Sequence, residues 1–151
     1  MKMQFFWSSL FFSFIIAHAQ TNEWAEVEKI FGRKGAVQGD VCKIAFPRAE
    51  KIIENEMEVP PFIGMATAIN LQMIGERAAT TGDFVLLANE VNPAVKALTE
   101  NGIAVTALHN HMLFESPRLF FLHFCGFDTP EKLACGLKAA LEKTNSAKRP
   151  R

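Results

Sequence analysis

Apolar residues first recur at helical spacing shortly after the N-terminal region. Trp24, Val27, Ile30 and Phe31 lie three to four residues apart, which places them on one face of a helix. This spacing predicts a first helix over residues 22–31.

The pattern then changes to the alternation that is typical of strands. Between residues 65 and 73, apolar side chains alternate with small or polar ones, which predicts a strand with one buried face. Residues 79–87 return after a Gly-Glu-Arg turn and complete a hairpin. A strand over 41–46 precedes this hairpin. A short edge strand is predicted over 51–53, before two consecutive prolines that cannot donate ladder hydrogen bonds.

The second half of the chain predicts a helix, a hairpin and a helix. Asn89 or Asn92 is expected to cap the first of these helices, and an Asn-Gly pair is expected to end it. Strands are predicted over 103–111 and 118–124. The last helix has leucines at four-residue steps and is expected to begin after Thr129, with proline at its first position.

This order of elements predicts an α+β fold. The strands come mainly as hairpins, so the sheet should be mainly antiparallel, with helices packed on one face. The strand over 118–124 is apolar on both faces, which predicts an interior position with a cover on each side. The second cover is expected from the N-terminal hairpin or from a partner subunit, and the latter alternative would make the protein a homodimer.

The N-terminal region is typical of a secretory signal peptide over residues 1–19. Lys2 precedes an apolar run of about a dozen residues, and the small-x-small pattern at 17–19 predicts cleavage there. The run is shorter than the roughly 20 residues that span a bilayer, which argues against the alternative of a membrane anchor. We therefore expect an exported protein, periplasmic or secreted, with a single domain over 20–145 and a disordered basic tail over 146–151.

Charge and cysteine content narrow the classes of function. The chain has 16 basic and 16 acidic residues, and this balance argues against a nucleic-acid partner. Its three cysteines, Cys42, Cys125 and Cys135, lack a C-x-x-C spacing, and their odd number leaves at least one thiol free. A bridge between Cys125 and Cys135 is one alternative, and burial as small hydrophobic side chains is the other.

Histidine is concentrated in one short stretch. His109, His111 and His123 lie within 15 positions, and the fourth histidine of the chain falls in the predicted signal peptide. Residues two apart on a strand share a face, and pairing of 109 with 123 would place the third imidazole on that same face. Three imidazoles with one open position are typical of a catalytic zinc, so a divalent metal site is predicted, with zinc as the expected ion.

Further polar residues could complete such a site. Glu115, in the turn of the same hairpin, is the nearest carboxylate in the sequence and the candidate catalytic base. Asp128 is the next candidate, and Asp83 is a third that depends on the strand order. Arg118 could bind an anionic group of a substrate, or it could be a solvated surface charge. The tripeptide His-Asn-His also occurs in a class of nucleases, but neither their ββα unit nor a basic groove is indicated here.

The chain resembles the LppY/LpqO family of exported bacterial proteins. The resemblance covers nearly all of the chain after the signal peptide, and the segments that carry it are GDVCKIAFPR, VPPFIGMATAINLQ and EVNPAVKALTENGIAVTALHNHM. It implies a single exported domain, and the His-Asn-His tripeptide, Glu115, Arg118 and His123 fall on positions that resemble the family's pattern. It implies little about activity, since the family is known chiefly as a domain of unknown function.

Three hypotheses about function follow. The first is a metal-dependent, hydrolase-type enzyme, and the second is a non-enzymatic module that binds a metal or another small ligand of unknown identity. The third is a structural or interaction domain in which the histidines hold no metal. The first two require the three imidazole rings to converge, because rings more than about 10 Å apart could not contact one ion.

Overall fold

The computed structural model of the protein describes residues 23–147. The predicted signal peptide lies outside these residues, as does the end of the predicted tail. The helices and strands in chain order are α1 (Ala25–Phe31), β1 (Ala36–Gln38), β2 (Val41–Pro47), β3 (Ile53–Glu54), β4 (Met57–Glu58), β5 (Ala66–Ile74), β6 (Arg77–Leu86), α2 (Ala88–Glu100), β7 (Ala104–His109), β8 (Phe120–Asp128) and α3 (Pro130–Leu141), with a helical turn at Pro61–Met65 and a 3-10 turn at Asn145–Ala147.

Six of these strands form one sheet in which all neighbours are antiparallel. Their order across the sheet is β1-β2-β5-β6-β8-β7, and β3 and β4 form a separate small hairpin. The predicted α+β fold with a mainly antiparallel sheet is therefore confirmed. The apolar strand β8 is interior, between β6 and β7, as its two apolar faces indicated. The edge strand predicted over 51–53 corresponds to β3, which begins two residues later than predicted. This strand pairs with β4 and lies outside the main sheet.

The three helices cover one face of the sheet. Phe84 on β6 and Leu122 and Phe124 on β8 are fully buried on this face, whereas their chain neighbours Asp83 and His123 lie on the opposite face. They belong to one apolar cluster with Leu98 of α2 and Leu137 of α3. Because a slip of one residue would turn these side chains toward the open face, their burial fixes the strand register.

Residues 23–147 cover the opposite face at one end only. The β3–β4 hairpin and the turn at Pro61–Met65 lie over that end and form a second, smaller apolar cluster. Its buried members are Ile52, Val59, Met65, Val85, Leu119 and Phe121. This cover comes from within the chain, so β8 has apolar neighbours on both faces without a partner subunit, and the homodimer stays a prediction.

Two helices begin at residues other than the predicted ones. The first starts at Ala25, not at residue 22. The second starts directly after Leu87, so the caps predicted at Asn89 and Asn92 are wrong. The carboxylate of Glu90 accepts a hydrogen bond from the backbone N–H of Leu87 at 2.8 Å, and this bond satisfies the helix end instead. The third helix begins after Thr129 with proline first, as predicted.

The packed part of the chain continues slightly beyond the predicted domain boundary at 145. Ser146 is 3% exposed and its hydroxyl lies 3.5 Å from that of Thr67 on β5, so the packing reaches the first residue of the predicted tail, whose disorder stays a prediction. Between residues 23 and 147, no helix is long and apolar enough to cross a bilayer.

All three cysteines are free thiols. Cys42 is buried, as predicted, but Cys125 and Cys135 are exposed. For these two residues both alternatives, a bridge and burial, are wrong. The fold explains the missing bridge, because Cys125 lies on the open face of β8, whereas Cys135 belongs to a helix on the other side of the sheet.

Candidate metal centre

The centre of the site is His123, in the middle of β8 and on the open face of the sheet. Its partners across the neighbouring strands are Asp83 on β6 and Ala107 on β7. The pairing of 109 with 123, on which the predicted convergence of the imidazoles depended, does not form, because His109 lies opposite Phe121, two residues away. A shift of two positions preserves the face, so His109 still lies beside His123. An irregularity in β7 just before Ala107 accompanies this shift in register.

The third histidine, His111, reaches the site from a loop. Strand β7 ends at His109, so the predicted strand over 103–111 is two residues too long. The imidazole of His111 lies flat on the phenyl ring of Phe121, with ring centroids 3.4 Å apart and planes 6° apart. Phe121 is 1% exposed and belongs to the smaller apolar cluster. The intervening Asn110 donates a hydrogen bond to the carbonyl of Leu119.

The three imidazoles converge on one point. Nε2 of His109 lies 2.8 Å from Nε2 of His123, and one ring nitrogen from each of the three histidines lies within 4.8 Å of the others. In a tetrahedral zinc site, nitrogens about 2.05 Å from the ion lie about 3.3 Å apart, which falls between the 2.8 Å that separates His109 from His123 and the 4.8 Å within which all three histidines lie. Within residues 23–147 this is the one such group of three, and His109, His111 and His123 form a cluster that could hold a divalent metal ion.

The short contact between His109 and His123 requires a proton or a cation between the rings. Two unprotonated nitrogens at 2.8 Å would direct their lone pairs at each other, so either the N–H of one neutral ring donates to the nitrogen of the other or a cation separates them. Nδ1 of His109 lies 3.3 Å from the carbonyl oxygen of Asn110. Donation from Nδ1 to this carbonyl leaves Nε2 unprotonated, which is the tautomer that can ligate a metal.

Asp83 is the carboxylate that faces the histidines. Burial raises the pKa of Asp83, although attraction to His123 and His111 opposes this shift. Loss of hydration, followed by the charge of His109, lowers the pKa of His111. A lowered pKa keeps this imidazole neutral to lower pH, as a metal ligand must be. The other sequence candidate, Asp128, lies at the far end of β8.

Glu115 and Arg118 make their contacts within the loop between β7 and β8. The buried carboxylate of Glu115 accepts hydrogen bonds from the backbone N–H of Leu119 at 3.2 Å and from Nη1 of Arg118 at 3.3 Å. Arg118 also donates to the carbonyls of Met112 and Leu113. Glu115 does not join the cluster of ligand nitrogens. The catalytic role of Glu115 and the anion-binding role of Arg118 stay predictions, because these contacts only show that both residues hold the loop.

The fold and the site define a small α+β domain whose open sheet face carries three convergent imidazoles. Residues 25–143 match the family model DUF1529, described as Domain of Unknown Function (DUF1259), and this match spans most of the chain. The protein belongs to this family of uncharacterised domains. No curated protein and no solved structure gives a significant match. The family description carries no activity, and the resemblance to LppY/LpqO proteins stays a prediction.

Proposed function

We propose that this domain binds one divalent transition-metal ion through His109, His111 and His123, with zinc as the expected ion. The observation that carries the proposal is the convergence of three ring nitrogens within 4.8 Å. Imidazole nitrogen suits zinc, copper, nickel and iron, and three imidazoles with one open position are the set found at catalytic zinc. A bound cation would take the place of the proton that otherwise separates the close Nε2 atoms of His109 and His123.

Metal-assisted hydrolysis is the reaction class that this site favours. An ion with an open position would polarise a carbonyl or phosphoryl group and lower the pKa of a bound water. On the protein side, Asp83 lies directly across from His123, one strand spacing or about 4.8 Å away at the backbone. Its carboxylate could accept a proton beside the open position. Asp83 is therefore a better candidate for the base than Glu115, whose carboxylate already binds Leu119 and Arg118.

Non-enzymatic metal binding is the second candidate, and the position of the same carboxylate favours it. If Asp83 took the fourth position, the shell would be closed and the domain would sequester or sense the ion. A crystal structure of the zinc-loaded protein separates the two candidates. A solvent molecule in the fourth position supports the hydrolase, whereas an oxygen of Asp83 in that position supports the binding module.

Metal analysis of the untagged, purified protein tests the site itself. About one equivalent of divalent metal is expected, because the three histidines form one cluster. Each of H109A, H111A and H123A should weaken zinc binding by more than about 100-fold, which exceeds the usual effect of losing an outer-shell partner. Wild-type protein that takes up no ion from zinc-containing buffer would overturn the proposal and support a purely structural domain.

A matched control is available on the same strand. Cys125 is exposed, lies two residues from His123 on the same face and carries a potential zinc ligand. Cys125→Ser should retain the ion with unchanged affinity. Zinc should also raise the free energy of unfolding of this variant and of the wild type by about 2.7 kcal/mol at 100 times the dissociation constant. His123→Ala should lose this stabilisation.

Export is part of the proposed function. The apolar run and the cleavage pattern at residues 17–19 support a periplasmic or secreted location. Mass spectrometry of protein from the cell envelope and the medium should find a chain that begins at Gln20. An intact N-terminus on protein confined to the cytoplasmic fraction would contradict export.

A further inference from the structure

A cleft adjoins Asp83 on the side away from the histidines. Its volume is about 180 Å³, well below the roughly 300–1,000 Å³ that is usual for sites of drug-sized ligands. A ligand in this cleft must therefore be small. The residues that line it are Lys43, Ala45, Pro61, Phe62, Gly64, Ala66, Ala68 and Asp83.

Small side chains on the open sheet face form the floor of this cleft. Ala45 pairs with Ala68, Ala68 pairs with Asp83, and Asp83 pairs with His123, so one row of residues crosses four strands. Two strand spacings separate Asp83 from Ala45, a distance of about 10 Å. Because alanine methyl groups leave space above the sheet, this row leads from the cleft into the histidine site.

Two side chains at the other end of the cleft are available to a ligand. Phe62 is 85% exposed although it lines the cleft, so its ring is not part of the apolar core. Lys43 is exposed, and its ammonium makes no ion pair or side-chain hydrogen bond within the described part of the chain. An aromatic ring and a cation without a salt bridge thus line the same cleft as the carboxylate that faces the histidines, and the charge of Lys43 is near enough to oppose the raised pKa of Asp83.

We propose that this cleft binds the body of the metal-site ligand, a small molecule with a compact apolar or aromatic group and one carboxylate or phosphate. The ammonium of Lys43 pairs with the anionic group, and the ring of Phe62 packs on the apolar body. The anion lies at the Lys43 end because the carboxylate of Asp83 repels it at the other end. This inference rests on the proposed metal site and adds the class of substrate to it.

Nuclear magnetic resonance titration of the zinc-loaded protein tests the inference. The probes are 3-phenylpropanoate and phenyl phosphate, with 3-phenylpropanamide as the neutral analogue. Both anions should shift the signals of Ala45, Gly64 and Ala68, and the tighter of the two should bind about tenfold more strongly than the amide, as expected for a charge-assisted contact. The tighter anion identifies the group that Lys43 recognises.

Three variants make the test specific. Lys43→Gln should remove the tenfold preference for the anion, and Phe62→Ala should weaken the anions and the amide alike. Lys138→Gln is the matched control, because Lys138 is exposed on α3 on the other side of the sheet, and it should bind the probes as the wild type does. Neither variant at the cleft should change the zinc stoichiometry.

The outcomes separate this inference from the proposed function. Zinc-loaded protein whose cleft signals do not respond to any probe would overturn the inference and leave the metal site standing. An anion preference that survives in Lys43→Gln would overturn it too. Failure of the wild-type protein to bind zinc, measured on the same sample before titration, would instead overturn the proposed function.

Discussion

The imidazole ring of His111 and the phenyl ring of Phe121 are stacked, with centroids 3.4 Å apart and planes 6° apart. His111 lies beyond the end of β7, so this ring contact and not strand pairing positions its imidazole. Phe121 is buried in the smaller apolar cluster, where it cannot move without repacking its neighbours. The packing of this cluster therefore controls the geometry of the proposed metal site.

Phe121→Leu should weaken zinc binding about tenfold, the size of effect seen when an outer-shell partner of a metal ligand is lost. It should also lower the free energy of unfolding by about 2 kcal/mol, less than the usual cost of Phe→Ala in a core. Chelator competition measures the affinity, and urea denaturation measures the stability. Val85→Ala is the control, since Val85 belongs to the same cluster but not to the ring stack. An equal loss of zinc affinity in both variants would contradict a positioning role for Phe121.

Asp83→Asn should stabilise the metal-free protein at neutral pH. Burial raises the pKa of Asp83 above its ordinary value of 3.8, so the ionised carboxylate is less favourable in the folded chain than in the unfolded chain. The contribution of the Asp83 carboxyl to the free energy of unfolding is fully present below its ordinary pKa. This contribution is lost as pH rises through the raised pKa. Urea denaturation with a chelator should therefore show a gain near pH 7 and none near pH 3. Zinc affinity should fall, because a nearby negative charge is removed.

Asp128→Asn is the control for Asp83→Asn, because its expected effect on stability near neutral pH has the opposite sign. The ammonium of Lys132, followed by the backbone N–H of Thr129, lowers the pKa of Asp128. Its stabilising contribution is therefore present above the ordinary pKa and is lost as pH falls through the lowered one. This variant should be slightly less stable than wild type near neutral pH and should match it in strong acid. A change of the same sign in both variants would contradict the two assigned environments.

Local periodicity was sufficient to predict the two central strands of the sheet, β5 and β6. The strands expected over 65–73 and 79–87 lie within two residues of β5 and β6, because each has one face in the core and the other outside it. The start of α2 could not be predicted in this way. The carboxylate of Glu90 caps this helix and also binds Arg48. Because β5 and β6 separate Arg48 from Glu90 in the sequence, no local pattern predicts this contact.

The spacing of the histidines predicted that the three imidazoles cluster but not the geometry of the cluster. The register that places His109 opposite Phe121 depends on the irregularity in β7, and the position of His111 depends on a ring from another strand. Asp83 joins the site only because β6 pairs with β8, although α2 and β7 lie between them in the chain. The alternation along β6 predicts which face of the sheet carries Asp83. The strand order that brings Asp83 beside His123 depends on contacts across the whole sheet and cannot be predicted from one strand.

Glu90→Gln should destabilise the protein strongly, because Glu90 and Arg48 form a buried ion pair. Nη1 of Arg48 lies 2.7 Å from Oε2 of Glu90, and the two side chains are 1% and 7% exposed. Removal of the negative charge leaves the buried guanidinium with Glu50 as its one ion-pair partner, 3.0 Å from Nη2, so the loss should stay at or below the about 3–5 kcal/mol that is usual for a broken buried pair. Glu58→Gln is the control, since its ion pair with Lys51 is exposed and should contribute little to stability. Urea denaturation compares them, and similar losses in both variants would contradict the prediction.

The three cysteines should differ in their reaction with iodoacetamide, and this difference also tests the ligand set. Cys125 and Cys135 are exposed and should be alkylated in the native protein. Burial, followed by the negative charge of Glu28, raises the pKa of the Cys42 thiol, so this residue should react only in denaturant. Peptide mapping by mass spectrometry distinguishes the sites, and native labelling of Cys42 would contradict its burial.

Zinc should leave the labelling of Cys125 unchanged, because the cluster consists of histidine nitrogens alone. Protection of Cys125 by zinc would place its thiolate in the metal shell and overturn the all-histidine site.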